Sequence, residues 1–272
     1  MNTDRQVAQP KPRSPARIWY QSFVDPGEQH PYIARLEESL KRYADPDVSF
    51  QVHDISPPDR YLNPLTEFRC AAQTIRNAIK AEEQGYDAFV IGHFQEPGLI
   101  ECRSAVDIPV IGLGEATMLH ACTLGRTFGL VTINPIFIPW HRDQITRLGL
   151  SQRATGVRAI DTQVSTYLQA FEEEDVYQRV REAFCREVLL LVEEGAEVVI
   201  PAGGLPMLLF AREQNFTVQG AVVLNGIAVV AAMAEMALKL FRRSRIAVSR
   251  KGTFAVPARS DPGVFVSGRG DK

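Results

Sequence analysis

The sequence predicts an α/β fold of two pseudo-symmetric lobes, each a mostly parallel sheet flanked by helices, with a ligand cleft between them. The main observation is an internal repeat: residues 85–93 read GYDAFVIGH and residues 195–203 read GAEVVIPAG, an offset of 110 positions. The same offset relates Ser22 to Thr132, and each of them follows an apolar run. Short apolar runs also alternate with amphipathic stretches, which is typical of parallel strands joined by helices.

In the first half, the apolar runs predict strands and the residues at helical spacing predict helices. Thr66 is a candidate N-cap for a long helix, and Gly85 is a candidate end for it. The predicted elements are a strand at 17–22, a helix at 31–43, a strand at 48–53, a helix at 66–84, a strand at 88–92, a helix at about 97–105, a strand at 109–113 and a helix that opens at 114–116.

The second half repeats this order and ends in a helix that should pack back on the first half. Its predicted elements are a strand at 128–133, a helix at 139–148, a strand at 157–161, a helix at 177–194, a strand at 198–201, a tight turn at 203–204, a strand at 221–224 and a helix at 227–240.

Composition shifts suggest how the chain divides. Residues 1–16 are polar and rich in proline, so we expect them to be disordered. We assign residues 17–115 to the first lobe, completed by the helix at 225–245, and residues 116–224 to the second lobe. Residues 246–272 are rich in glycine, proline and charge, and are predicted to form a C-terminal tail.

Composition also excludes several classes of partner. The net charge is −2, with 45% hydrophobic and 23% charged residues, so nothing favours nucleic acid or a membrane surface. The longest apolar run, 221–234, is interrupted by Asn225 and Gly226 and is too short to span a bilayer. No secretory signal is visible and the four cysteines lack zinc-ligand spacing, so we expect a cytoplasmic protein with reduced thiols and no metal.

Ligands of parallel α/β sheets bind at the carboxyl ends of the strands. Four residues lie at such ends, Ser22, His93, Thr132 and Gly203, and the repeat arranges them as the pairs Ser22/Thr132 and His93/Gly203. We therefore expect these pairs to face each other across the cleft and to contact a small-molecule substrate.

Four segments in this order resemble the aspartate/glutamate/hydantoin racemase superfamily, and most of all its hydantoin racemase branch. They are VIGHFQEPGL at 90–99, PVIGLGEA at 109–116, FGLVTIN at 128–134 and GAEVVIPAGG at 195–204. The resemblance implies two facing lobes, cofactor-independent proton transfer on a small carboxylate or cyclic amide, and a homo-oligomer. It also implies one catalytic cysteine in each lobe, on opposite faces of the substrate.

The sequence departs from the family pattern at both cysteine positions. The first falls on His93, and the second on Gly203, or on Ala202 in a register shifted by one. An imidazole therefore stands opposite a residue without a side chain. We expect one-sided proton transfer by His93 in place of two-cysteine racemisation.

The other candidates surround this pair. Glu96 could orient His93 or act as a second acid, although an acid there could also cap the following helix. The backbone of Gly203-Gly204 could approach an oxyanion or simply form a tight turn, and short polar side chains at strand ends could bind substrate or cap turns. The candidate substrate-binding residues are Gln21, Ser22, Phe94, Thr132, Asn134, Gly203 and Gly204.

Three functions remain open at this point. The first is an isomerase or lyase that works through an enolate-like intermediate. The second is a cyclic-amide hydrolase in which His93, alone or together with Glu96, activates water. The third is a non-catalytic binding protein that kept the cleft and lost the thiols.

Overall fold

The computed structural model describes residues 15–24, 31–58 and 63–255. Of the segment predicted to be disordered, residues 1–14 lie outside the described residues, as do residues 256–272 of the predicted tail. Ala16 corrects the first boundary. Its backbone N–H donates to the carbonyl oxygen of Asp47 at 2.7 Å, so it begins the first strand instead of ending a disordered segment.

The first lobe is built on a four-stranded parallel sheet with the order β2-β1-β3-β4. Its elements are β1 (Ala16–Gln21), α1 (Pro31–Tyr43), β2 (Val48–His53), α2 (Pro64–Glu83), β3 (Ala88–Ile91), α3 (Leu99–Ala105) and β4 (Val110–Gly112).

The second lobe has a five-stranded sheet with the order β6-β5-β7-β9-β8, in which only β8 is antiparallel to its neighbour. Its elements are α4 (Leu113–Leu124), β5 (Phe128–Thr132), α5 (Phe137–Arg147), β6 (Ala154–Ala159), α6 (Val164–Ala170), α7 (Glu174–Glu193), β7 (Val198–Ala202), α8 (Gly204–Phe210), β8 (Thr217–Val218), β9 (Ala221–Val223) and α9 (Gly226–Ser244).

The internal repeat is reproduced in the strand register. Ile18 of β1 pairs with Ala88 of β3, and Phe128 of β5 pairs with Val198 of β7. Both partners are displaced by the same 110 positions that relate the two sequence segments. The predicted α/β architecture with two similar parallel sheets is therefore confirmed.

Alternation along the central strands separates two apolar cores. In β1, Ile18 and Tyr20 belong to the large core that also includes the second lobe, whereas Trp19 packs in a smaller core beneath α2 and α3. Successive side chains of a strand point to opposite faces of the sheet. The same alternation continues in the residues just after the strand. Phe23 accordingly joins the smaller core.

Local sequence signals misplaced one cap and missed three short α-helices and β-strands. The cap of α2 is Asn63, whose side chain accepts a hydrogen bond from the Thr66 N–H at 3.0 Å, so the prediction that Thr66 is the cap was wrong. The short elements α6, α8 and β8 were absent from the prediction. Each spans seven residues or fewer, too short for a periodic pattern to show.

The helices α4 and α9 tie the lobes together. The predicted boundary between residues 115 and 116 falls inside α4, which contacts both sheets, and α9 packs against α1, α4, β3 and β4. The first part of the predicted tail, residues 246–254, packs against the first lobe. Arg250 donates to the carbonyl oxygens of Arg103 and Val106 and pairs with Asp107. None of the described helices is long and apolar enough to cross a membrane.

Gly92 admits the ring of Tyr20 against the end of β3, and this contact gives a stability prediction. An ideal Cβ there would lie 2.5 Å from Tyr20 Cζ and 2.8 Å from the Gln21 carbonyl oxygen. Because Tyr20 is fully buried, Gly92→Ala should lower the free energy of unfolding by about 1–3 kcal/mol through overpacking. Urea unfolding would measure this.

Gly85→Ala is the matched control, since a Cβ there meets no atom within 4 Å and only the left-handed φ of +73° is strained. That variant should lose about 1 kcal/mol. A Gly92→Ala variant as stable as the parent would contradict the packing described here.

Candidate active site at the strand ends

The strand order places a crevice at the same point in each sheet. In the first lobe, β2 and β3 lie on opposite sides of β1, so the chain changes direction between β1 and β3. The second sheet repeats this between β5 and β7. Ligands of open α/β sheets bind at such switch points, outside the carboxyl ends of the strands. Ser22 and His93 follow β1 and β3, Thr132 ends β5, and Gly203 follows β7.

The two crevices face each other through glycine backbone. An ideal Cβ on Gly204 would lie 3.5 Å from the Gly92 carbonyl oxygen and 2.8 Å from the Tyr32 hydroxyl. The turn after β7 and the end of β3 are therefore in close approach, with His93 and Gly203 on the facing segments. Gly203 has φ 153° and ψ 150°, a region that residues with a side chain rarely adopt.

A carboxylate lies beside His93, and it is not the one that the sequence suggested. The Nε2 atom of His93 is 4.0 Å from Oε1 of Glu67, in the first turn of α2, and both side chains are 17% exposed. The Phe23 ring packs against the imidazole with a centroid distance of 4.6 Å. Sequence reasoning missed Glu67. An acid in the first turn of a helix that follows a parallel strand was the available signal, because such turns lie above the sheet's carboxyl edge.

Glu96 is buried and both of its carboxyl oxygens contact other partners. Oε1 accepts from the Glu115 N–H at 2.6 Å and Oε2 accepts from Gln144 Nε2 at 2.9 Å. It thus caps the start of α4 and not the helix that follows it in sequence. The pKa of Glu96 is raised to about 7, mainly because the carboxyl group is buried. The charge of Glu115 adds to the increase, whereas these hydrogen bonds and the charge of Arg103 oppose it.

A buried polar chain runs from Glu96 into the second lobe. Gln144 Nε2 also donates to the Phe94 carbonyl oxygen at 2.6 Å, and its Oε1 is 3.4 Å from Nδ1 of His141. The Nε2 atom of His141 is in turn 3.4 Å from Oγ1 of Thr132. Burial lowers the pKa of His141 to about 4, the Gln144 contact opposes the shift, and the nearby His93 contributes to it.

His141 and Gln144 were also missed by sequence reasoning. They are three residues apart on α5 and share the buried face with Phe137 and Ile145. Two polar residues inside an apolar helical stripe were the signal, because a buried polar side chain needs a partner from another element.

The two polar residues that end β1 differ in what they contact. Gln21 donates to the carbonyl oxygens of Ser22, His53 and Asp54 and accepts from Trp19 Nε1 and Asn77 Nδ2. Its amide thus joins elements of the first lobe, and the substrate contact that we expected for it stays a prediction. Ser22 is 1% exposed, and its hydroxyl has no hydrogen-bond partner among the described residues.

Two further candidates have local contacts. The Asn134 side chain accepts from the Ile136 N–H at 3.0 Å and so closes the turn before α5. Phe94 is 1% exposed and packs edge-on against His141 at a ring distance of 5.0 Å. The substrate contacts that we expected for both side chains stay predictions.

All four cysteines lie on helices: Cys70 on α2, Cys102 on α3, Cys122 on α4 and Cys185 on α7. Burial raises the pKa of Cys102 and of Cys185, which disfavours the thiolate form that proton abstraction needs. The thiols of this chain are therefore not at the four strand ends.

Comparison with known proteins agrees with this architecture. Residues 30–234 match the family model described as Asp/Glu/Hydantoin racemase. The hydantoin racemase of Rhizobium meliloti is 32% identical over 179 residues, which cover 65% of this chain and 69% of the relative. The hydantoin racemase of Pseudomonas sp. (strain NS671) is 26% identical over 230 residues, 83% of this chain and 87% of the relative.

Solved structures share the fold. The allantoin racemase from Klebsiella pneumoniae superimposes with a TM-score of 0.73 at 22% identity, covering 90% of this chain and 94% of that one. The allantoin racemase from Pseudomonas fluorescens gives a TM-score of 0.66 at 21% identity, covering 89% and 97%. Both support the two-lobed α/β assignment.

Buried Glu96 gives a testable pH dependence of stability. Its pKa is raised in the folded state, so between pH 4.5 and 7 the native protein keeps a proton that the unfolded chain releases. Its contribution is therefore present below pH 4.5 and is lost as the pH rises through 7. Relative to the parent, Glu96→Gln should gain about 3 kcal/mol in the free energy of unfolding across this window.

Urea unfolding at several pH values between 4.5 and 7.5 measures the difference. Glu101→Gln, on the exposed side of α3, controls for the loss of one carboxyl group. A difference between Glu96→Gln and the parent that stays constant with pH would show that the buried carboxyl does not titrate as described.

Proposed function

Because the chain belongs to the Asp/Glu/hydantoin racemase family, we propose that it is a cofactor-independent enzyme that moves a proton at a carbon next to a carbonyl group of a small cyclic amide. The observation that carries the proposal is the pairing of His93 with Glu67 at the end of β3, opposite the glycine turn that follows β7. Imidazole is the side chain best suited to exchange a proton near neutral pH.

The proposed step is proton abstraction by His93. The C–H bond of the substrate breaks, its proton passes to an imidazole nitrogen, and its electron pair moves to the carbonyl oxygen as an enolate. The carboxylate of Glu67 then lies 4.0 Å from a charged imidazolium and stabilises it. Return of that proton from the imidazolium to the same face restores the starting enantiomer, so this step alone gives exchange with solvent. Inversion needs a proton from a water molecule on the opposite face, after which the imidazolium releases its proton to solvent.

The opposite face of the substrate meets the backbone of Gly203 and Gly204. Backbone N–H groups of such a turn are suited to hold a developing oxyanion. This asymmetry favours one-sided proton transfer. The same enolate would form if a carboxyl group left as CO2, so a lyase reaction uses the same groups.

The relatives of this chain favour a cyclic amide over a carboxylate as the substrate. The hydantoin and allantoin racemases that this chain resembles are named for neutral cyclic amides of this kind.

A binding protein without turnover is the second candidate. It is favoured by the positions of the four cysteines, all on helices and away from the strand ends. The two candidates differ in one respect: only the enzyme exchanges a substrate proton with solvent.

The decisive variant is His93→Ala. If the imidazole removes the α-proton, this variant should lose about 10²- to 10⁴-fold in the rate of deuterium uptake at C5 of a 5-substituted hydantoin in D2O. Proton NMR of the C5–H signal measures the exchange, and circular dichroism of one enantiomer measures inversion.

His120→Ala is the matched control, since His120 lies on α4 with its contacts to Thr123 at the exposed surface. Glu67→Gln should slow exchange less than His93→Ala, because it removes only the stabilising charge. Exchange at the parental rate in His93→Ala would overturn the assignment of His93, and hydantoin binding without any exchange in the parent would favour the binding protein.

A further inference from the structure

The buried side chains from Glu96 to Thr132 form a series of hydrogen bonds, and the Phe94 carbonyl sets their donor and acceptor directions. A carbonyl oxygen can only accept a hydrogen bond. The Gln144 atom 2.6 Å from it must therefore be the amide nitrogen, and the second N–H of that nitrogen points to Glu96. Exchanging the nitrogen and oxygen of this amide would place two acceptors at 2.6 Å. The Gln144 oxygen is thus fixed toward His141.

The orientation of Gln144 selects the tautomer of His141. Its Nδ1 atom faces an oxygen that can only accept, at 3.4 Å, so Nδ1 carries the hydrogen. The ring is buried and holds a pKa of about 4, so it is neutral at ordinary pH and carries only one N–H. Its Nε2 atom is therefore an acceptor.

This acceptor determines the direction of the Thr132 hydroxyl. Oγ1 of Thr132 is 3.4 Å from His141 Nε2, and only the hydroxyl hydrogen can make that contact. A hydroxyl has one hydrogen and two lone pairs, so Thr132 can offer only lone pairs to a ligand. The equivalent Ser22 hydroxyl, 110 positions earlier, has no partner among the described residues and keeps its hydrogen available.

We propose that Gln144 and His141 fix the Thr132 hydroxyl as a hydrogen-bond acceptor, so that the site selects ligands that present a ring N–H over ligands that present a carboxylate. A carboxylate offers only lone pairs, which would meet those of Thr132. The inference rests on the proposed function, because it deepens the choice of a cyclic amide. His141 and Gln144 are positioning residues in this account, and Thr132 determines specificity.

The tautomer can be tested directly in the unmodified protein. With histidine labelled uniformly with ¹⁵N, the long-range ¹H–¹⁵N correlations distinguish protonated from bare nitrogens in each of the five imidazoles, and His141→Phe assigns the signal. We expect Nδ1 of His141 to be protonated and Nε2 to be bare. A hydrogen on Nε2 would overturn the proposal whether or not the protein is an enzyme.

Binding tests the consequence. The probes are 5-methylhydantoin, its 1-methyl and 3-methyl derivatives, and the ring-opened carboxylate N-carbamoylalanine, with affinities measured by calorimetry. In the parent, at least one N-methylation should weaken binding about tenfold or more, as expected for the loss of one buried hydrogen bond, and the carboxylate should bind more weakly still.

Thr132→Val should remove most of this tenfold preference, and Thr132→Ser should restore it. His141→Phe keeps the ring contacts with Phe94 and Phe137 and removes both nitrogens, so it should also lose the preference and bind the carboxylate better than the parent does.

Thr123→Val is the control, because Thr123 lies 3.3 Å from a ring nitrogen of His120 at the exposed surface and should leave all affinities unchanged. Equal binding of hydantoin and both N-methyl derivatives by the parent, or an unchanged preference in Thr132→Val, would overturn the inference. A preference that follows these predictions without C5 exchange would instead count against the proposed catalysis alone.

Discussion

The hydrogen bonds from the Gln144 amide to the Phe94 carbonyl and to Glu96 join the two lobes where their sheets end. A neutral hydrogen bond adds only about 1 kcal/mol to stability, but a buried polar group left without a partner costs about 1–3 kcal/mol. Once Gln144 and His141 are buried, each of their polar atoms therefore needs a hydrogen-bond partner. This constraint fixes Glu96, the tautomer of His141 and the direction of the Thr132 hydroxyl together.

Burial separates the ionisable groups of the site into two kinds. Glu96 and His141 are held toward their neutral forms, because desolvation raises the pKa of an acid and lowers that of an imidazole. Between pH 4.5 and 6.5, a rise in pH lowers the free energy of unfolding through Glu96 and raises it through His141. The two effects therefore offset each other. His93 and Glu67 remain 17% exposed and so can reach solvent or substrate. Proton transfer is therefore consistent with His93 and Glu67, and a structural role with Glu96 and His141.

Backbone geometry explains why the two facing strand ends are chemically unequal. At Gly203 a side chain would require an unfavourable φ of 153° and would place Cβ 3.0 Å from Pro206 Cδ. A cysteine at that position would therefore cost backbone strain of about 1–3 kcal/mol before any thiol chemistry. His93 has no such restriction, so the strand end after β3 carries a side chain where the equivalent position after β7 carries none.

The sequence by itself determined the two-lobed α/β fold, because the repeated strand ends at an offset of 110 residues follow from short-range periodicity and turn residues. It also identified Ser22, His93, Thr132 and Gly203 as the strand-end residues at the two switch points, since the position of a strand end is a local property. Only the tertiary structure decided which side chains meet. Glu67 replaced Glu96 as the neighbour of His93, and Gln144 crossed from the second lobe to the first, because such contacts depend on how helices distant in sequence pack above the sheet edges.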